Sequence, residues 1–267
     1  MAALSATRII AKILNKSPFT INYCGLRFET IKALKYFEFL NCRLIVCFGN
    51  SNTFGWNYEY LFSYPAVLEN KLKKISDQFK VINCGVGGNT SADGLERIET
   101  DVLCYNPEIA VVNFGLNDGL LVKSEDRNNN NKKKSNLLYR INENYYKPAV
   151  DIEEYKNNIE NIILKLKQKS VKIITTGLYE IKKVKLKAGY SEEEKIVALQ
   201  NEIYRQYDNV LKKLAWENNT VFFDLWNNLY NYEKIKNCFQ KDGFHLNTEG
   251  YELMAESLKK IIVDVYF

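Results

Sequence analysis

Five short apolar runs constrain how this chain can fold: Leu44 to Phe48, Val81 to Cys84, Ile109 to Phe114, Val171 to Thr176 and Val221 to Asp224. Each is rich in β-branched or aromatic residues, and each is followed by a turn bearing Gly, Asn or Asp. Longer segments with helical periodicity lie between them, which is the pattern of parallel strands joined by crossover helices. Near-continuous apolar strands read as buried on both faces. The expected fold is therefore α/β, a three-layer α/β/α sandwich around a five-stranded parallel sheet, with ligands bound outside the carboxyl ends of the strands. The last helix is the clearest local prediction, because Tyr251, Met254, Ala255, Leu258, Ile261 and Ile262 recur at three- and four-residue spacing. Thr248 is its expected cap, and Glu249 at its start with Lys259 and Lys260 near its end suits the helix dipole.

At 267 residues the chain fits one enzyme domain with additions. Residues 1–40 read as a basic amphipathic extension: the first 28 residues lack Asp and Glu, and Arg8, Lys12 and Lys16 alternate with Ile9, Ile10, Ile13 and Leu14. An organelle-targeting segment has this character, and so has an ordinary surface helix. The catalytic domain is expected over residues 41–267, interrupted at about 123–147 by a polar insertion whose run Asn128 to Lys134 carries too little apolar surface to offset its ordering entropy, and which reads as mobile. No apolar run reaches the roughly 18 residues of a membrane span. The expectation is a soluble, cytoplasmic protein, with targeting by the N-terminal segment as the alternative.

A net charge of +5, from 37 basic and 32 acidic residues, is too balanced to imply a nucleic-acid surface. The six cysteines show no CxxC spacing and share the chain with a single histidine, which argues against structural zinc. Cys47 and Cys84 fall inside strand-like runs, where cysteine behaves as a small hydrophobe and suits a reducing compartment.

Four segments carry candidate chemistry. Phe48-Gly49-Asn50-Ser51-Asn52-Thr53 places Ser51 at the turn after the first strand, and it is not a GxSxG elbow. Asn83-Cys84-Gly85-Val86-Gly87-Gly88-Asn89-Thr90-Ser91 offers glycine backbone N–H groups at a strand end, where a developing oxyanion needs preorganised donors. Phe114-Gly115-Leu116-Asn117-Asp118-Gly119 adds an amide after the third strand. Asp242-Gly243-Phe244-His245 brings a carboxylate and the sole histidine onto one short loop before the last helix. Each has an ordinary reading as well: an N-cap, a helix-start loop, a turn, a structural histidine. Their order and their common place at strand ends are what single them out.

With these four blocks the chain resembles the SGNH hydrolase superfamily, the GDSL-like lipases and esterases, and most of all its acyl-CoA thioesterase I and lysophospholipase L1 branch. The similarity extends to Tyr64-Pro65-Ala66-Val67-Leu68, Gly88-Asn89-Thr90-Ser91 with Gly94-Leu95, and Asp242-Gly243-Phe244-His245-Leu246-Asn247. It spans roughly residues 43–262 and implies a flavodoxin-like sheet. By that resemblance Ser51 is the nucleophile, His245 its base and Asp242 the orienting acid, while Ser51, Gly88 and Asn117 supply the oxyanion hole. Choosing Gly88 over Gly87 rests on the resemblance alone. One departure stands out: Gly49-Asn50-Ser51 replaces the family's usual Gly-Asp-Ser.

The implied activity is hydrolysis of carboxylic esters or thioesters through an acyl-enzyme at Ser51, with no cofactor and no metal. The alternatives are a carbohydrate O-deacetylase and a non-catalytic binding protein on the same fold. The expected partner is a small-molecule ester or acyl substrate, with weak contact to a membrane surface or lipid and no binding of nucleic acid.

Overall fold

The computed structural model describes residues 42–58, 60–124, 138–141, 144–186, 189–191, 193–230 and 237–266. The N-terminal extension and the Asn/Lys run 128–134 lie outside the described residues. Along the chain the elements are β1 (Arg43–Gly49), α1 (Ser51–Phe54), α2 (Tyr64–Lys73), β2 (Phe79–Gly85), α3 (Ser91–Asp101), β3 (Ile109–Asn113), β4 (Leu121–Ser124), β5 (Tyr139–Ile141) and β6 (Asn144–Pro148). They continue with α4 (Ile152–Gln168), β7 (Lys172–Thr176), β8 (Val184–Leu186), β9 (Gly189–Ser191), α5 (Glu194–Glu217), β10 (Val221–Phe223), α6 (Leu225–Tyr230) and α7 (Thr248–Tyr266).

All five apolar runs are strands of one sheet, in the order β10-β7-β3-β1-β2, and every neighbouring pair is parallel. Ile45, Val46, Cys47 and Phe48 of the central β1 are wholly buried, as a strand covered on both faces must be. Burying a side chain such as Ile45 or Phe48 is worth about 1.5–3 kcal/mol, so the apolar runs fix the centre of the sheet. Right-handed crossovers then decide the layers. The step from β1 to β2 runs one way across the sheet, and the later steps to β3, β7 and β10 run the other way. Hence α2 covers one face and α3, α4 and α5 the other. The packing agrees: α2 lies against α7, α3 against α4, and α4 against α5. This is the flavodoxin-like order, and its reversal point falls between β1 and β3, where such sheets open a crevice.

Three local features differ from the sequence expectation. The cap of α7 is Asn247, whose Oδ1 accepts from Gly250 N at 3.0 Å, and Thr248 is already the first helical residue. The polar insertion is structured at both ends: β4, β6 and β5 form an antiparallel sheet, which Ile141 and Tyr146 anchor from buried positions. A short hairpin, β8 with β9, precedes α5. Among the described residues no helix is long and apolar enough to cross a membrane.

The turn that bears Ser51 depends on Gly85. A Cβ there would lie 2.2 Å from the backbone nitrogen of Phe54, so α1 and the end of β2 touch backbone to backbone. Neither partner is a flexible side-chain end that could swing away. Gly85→Ala is expected to cost about 3 kcal/mol or more, lowering the melting temperature by about 6–12 °C; an unchanged thermal melt would refute the close packing.

Candidate active site

Ser51 opens α1 immediately beyond β1, and the side chain of Asn50 caps this short helix by accepting from Asn52 N at 3.0 Å. The helix closes after one turn at Gly55, whose left-handed φ of 92° returns the chain. Ser51 is thereby held at the carboxyl end of β1, on the lip of the reversal point.

The base arrives from the other end of the sequence. Residues 238–247 fold back on themselves: Gln240 N donates to His245 O at 2.8 Å, Asn247 N to Cys238 O at 2.9 Å, and Phe239 bridges Leu246. At the tip, Asp242 Oδ1 accepts from the backbone N–H groups of Phe244 and His245, both at 3.0 Å. Its Oδ2 lies 2.6 Å from His245 Nδ1, and His245 Nε2 lies 2.9 Å from Ser51 Oγ. Burial works to raise the Asp242 carboxyl, but the hydrogen bonds from the His245 ring and from the His245 and Phe244 amides outweigh it and hold the group at about 2. Asp242 is therefore ionised at neutral pH. An ionised Oδ2 accepts a hydrogen bond from Nδ1–H, which leaves Nε2 as the acceptor facing the Ser51 hydroxyl.

The sequence-predicted oxyanion residues gather at the same end of the sheet. Gly88 sits in a turn closed by Asn89 N donating to Val86 O at 3.3 Å, a bond that does not use the Gly88 N–H. Its φ of 80° is one that an L-residue rarely adopts, and open space surrounds the position a Cβ would take. Asn117 follows β3, and its Nδ2 donates to the Asn89 carbonyl at 2.8 Å. One amide hydrogen is engaged there and the amide carries a second. Thr90 caps α3 in a reciprocal box with Asp93, so the turn leads straight into a firmly started helix.

Several residues of the site gave no signal in the sequence. Asn52 Oδ1 accepts from Leu246 N at 3.0 Å, tying the residue after Ser51 to the residue after His245. Tyr179, buried after β7, donates to the Phe244 carbonyl at 2.9 Å on the other flank of His245. Gln240 donates to the Trp56 and Leu246 carbonyls, each at 2.9 Å. The Trp56 ring stacks on the His245 ring, with centroids 5.7 Å apart and planes inclined by 22°. It also stands over Gly87, where a Cβ would meet the indole at 3.2 Å. An aromatic residue directly after the glycine that closes a short helix has no periodicity to mark it, and a lone Gln has none either.

Asp118, beside Asn117, is fully buried, and its Oδ1 accepts from Ser91 N at 2.8 Å. It thus fastens the Asn117 turn to the start of α3. Burial pushes its carboxyl up to about 6, against the opposing pull of hydrogen bonds from Ser91 and nearby backbone N–H groups. Among the described residues, no cluster of three or more His, Cys, Asp or Glu is arranged to hold a metal ion.

A hydroxyl, an imidazole and a carboxylate in one hydrogen-bonded chain, at the carboxyl edge of a parallel sheet, is the arrangement of serine hydrolases. The chain belongs to the GDSL-like lipase/acylhydrolase family, whose pattern residues 47–253 match. Its fold is shared with the crystal structure of the lipase/acylhydrolase from Enterococcus faecalis, with a TM-score of 0.62 at 22% identity, covering 82% of this chain and 95% of that one. The TesA crystal structure superposes with a TM-score of 0.59 at 16% identity over 82% of this chain and 97% of the other. Likenesses at these identities are of fold and do not single out one branch of the family. In sequence, 103 residues are 36% identical to the uncharacterized lipoprotein YqeF of Bacillus subtilis, covering 37% of this chain and 42% of that protein. The chain spans about half or less of the length of the curated relatives it matches.

The raised carboxyls make stability depend on pH with a definite sign. A group held at about 6 when folded, against 3.8 ordinarily, lends full stability below the ordinary value and loses it as pH rises through about 6. Asp208, raised to about 6 mainly by burial, acts in the same direction. Asp118→Asn keeps an oxygen for Ser91 N and cannot ionise, so its melting temperature should fall less than that of the wild type between pH 4 and 6. Equal slopes in thermal melts of the two proteins would rule out Asp118 as a source of the dependence.

Proposed function

We propose that this protein hydrolyses carboxylic esters or thioesters through an acyl-enzyme at Ser51. The observation that carries the reading is the unbroken hydrogen-bonded chain from Ser51 Oγ through His245 to Asp242, at 2.9 and 2.6 Å. As Ser51 Oγ attacks the acyl carbonyl carbon, His245 Nε2 takes its proton and Asp242 stabilises the resulting imidazolium. The carbonyl oxygen becomes an oxyanion, which accepts from the Ser51 and Gly88 N–H groups and the Asn117 amide. Collapse expels the alcohol or thiol, which leaves with the proton from His245. A water molecule then attacks the acyl-enzyme, giving its proton to the same nitrogen, and Ser51 is regenerated with release of the acid.

The surroundings of Ser51 favour an apolar acyl group over a sugar acetate. The segment leaving α1 exposes Trp56, Leu61 and Phe62 at 41%, 64% and 49% of their surfaces. Of these, Trp56 stacks on the His245 ring and sets an apolar face beside the triad, which suits a hydrocarbon chain. The hydrogen-bonded triad supports turnover and weighs against a binding protein that has lost it.

A panel of aryl esters from acetyl to long acyl, run beside an acyl-CoA and an acetylated sugar, tests the substrate class, and fluorophosphonate labelling tests the nucleophile. Ser51→Ala and His245→Ala should each abolish most turnover with the fold intact; a Ser51→Ala enzyme that retained a sizeable fraction of the rate would exclude an acyl-enzyme at Ser51. Asn117→Ala should lower kcat on the order of 100- to 1,000-fold with little change in KM. If KM alone changed, Asn117 would be a substrate-binding residue.

Asn50 generates a further expectation. Its Oδ1 caps α1, while its Nδ2 is buried with no hydrogen-bond acceptor among the described residues. With no acceptor bonded to that amide to be lost, Asn50→Asp should leave turnover unchanged or raise it. A loss of both rate and melting temperature would mean that the loop is adapted to the amide.

A further inference from the structure

Arg97 lies on α3, outside the four sequence blocks, yet its side chain is only 14% exposed and is the most connected in the site. Its guanidinium joins the ends of β1 and β2 and the turn that follows β2. Nη2 donates to Gly49 O at 2.8 Å, two residues before the nucleophile. Nη1 donates to Cys84 O at 2.9 Å and to Asp101 Oδ2 at 2.8 Å. Nε donates to Asn89 Oδ1 at 2.7 Å, in the turn that carries Gly88. The guanidinium carbon stands 4.5 Å from the centroid of the Phe48 ring, which fixes its plane.

Pairing with Asp101 requires one of these bonds. The others direct a buried charge at two carbonyls and one side-chain amide, each on a segment that carries or adjoins a proposed oxyanion donor. Asn89 completes the link, because its own backbone carbonyl accepts from the Asn117 amide. A continuous run of hydrogen bonds thus leads from Gly49 through Arg97 and Asn89 to Asn117, joining the segments of all three donors. Charge-assisted bonds in a planar fork hold direction as well as distance, which a lysine cannot reproduce.

We propose that Arg97, acting through the Asn89 side chain, is the positioning residue that sets the spacing of the oxyanion hole. The inference rests on the acyl-enzyme reading of Ser51. Arg97 touches no reacting atom; its contribution is to stop the Gly88 turn and the Asn117 amide from relaxing away from Ser51 while the oxyanion forms. Preorganisation of this kind is felt in the transition state and hardly in the bound substrate.

The test separates this role from mere support of the fold. Removing Arg97 would strand the buried Asp101, so the primary variant is Asn89→Ala, which breaks the link and leaves the ion pair. It should lower kcat for an aryl ester about 10- to 100-fold, keep KM within about threefold, and slow fluorophosphonate labelling in parallel. Its melting temperature should stay close to that of the wild type. Asn89→Asp, which presents an acceptor to the same N–H, should restore most of the rate, and Arg97→Lys should again depress kcat. An Asn89→Ala enzyme within twofold of the wild-type rate overturns the proposal, as does a loss that follows the melting temperature and is not rescued by Asn89→Asp. A wild-type protein that fluorophosphonate does not label would instead refute the acyl-enzyme itself, and this inference with it.

Discussion

Asp242 keeps its charge in a largely enclosed loop because two backbone N–H groups and an imidazole converge on it. Desolvation alone would drive the carboxyl toward protonation, and a protonated Asp242 would no longer dictate which nitrogen of His245 faces Ser51. The same two amide contacts fold the loop tip, so conformation and electrostatics are settled by one group. Everything else about the site follows from having that loop in place: the stacked Trp56, the Gln240 crosslink and the bond from Leu246 to Asn52 all attach to a hairpin shaped by a single carboxylate.

The sheet provides the setting. Because the strand order reverses between β1 and β3, the turns after these two strands splay apart and leave room for a ligand. Ser51 and Asn117 leave from the two strands that border that gap, and the Gly88 turn follows β2 on the far side of β1. The active groups are thus gathered by topology first and adjusted by side-chain contacts second.

How much of this was legible in the sequence follows from what each element needs. Each of the five strands carries a short, mostly apolar run because the sheet is covered on both faces, and such runs stand out without any structure. The triad was readable because serine falls in a short motif at a strand end, while aspartate and the sole histidine share one short loop before the last helix. Arg97 was not, since an arginine in Ser91–Asp101 looks like a solvated helix residue. Its only trace is the i,i+4 spacing to Asp101, and what buries it is the approach of Phe48 from another strand. Trp56 and Gln240 are equally silent, because their importance comes from partners nearly 190 positions away in sequence. The cap of α7 was displaced by one residue for a similar reason: Asn247 and Thr248 are both suitable, and the hairpin's bond from Asn247 N to Cys238 O sets the start at Asn247.

The bond from Leu246 N to Asn52 Oδ1 joins residues 194 apart. Closing so long a loop costs chain entropy that the contacts within it must offset. On the proposed reading, a molecule in which the C-terminal hairpin has not docked holds a serine without its base, and Ser51 becomes competent only with the hairpin in place. On the proposed acyl-enzyme reading, reactivity at Ser51 is in this sense a report on the docking of residues 238–247 against α1.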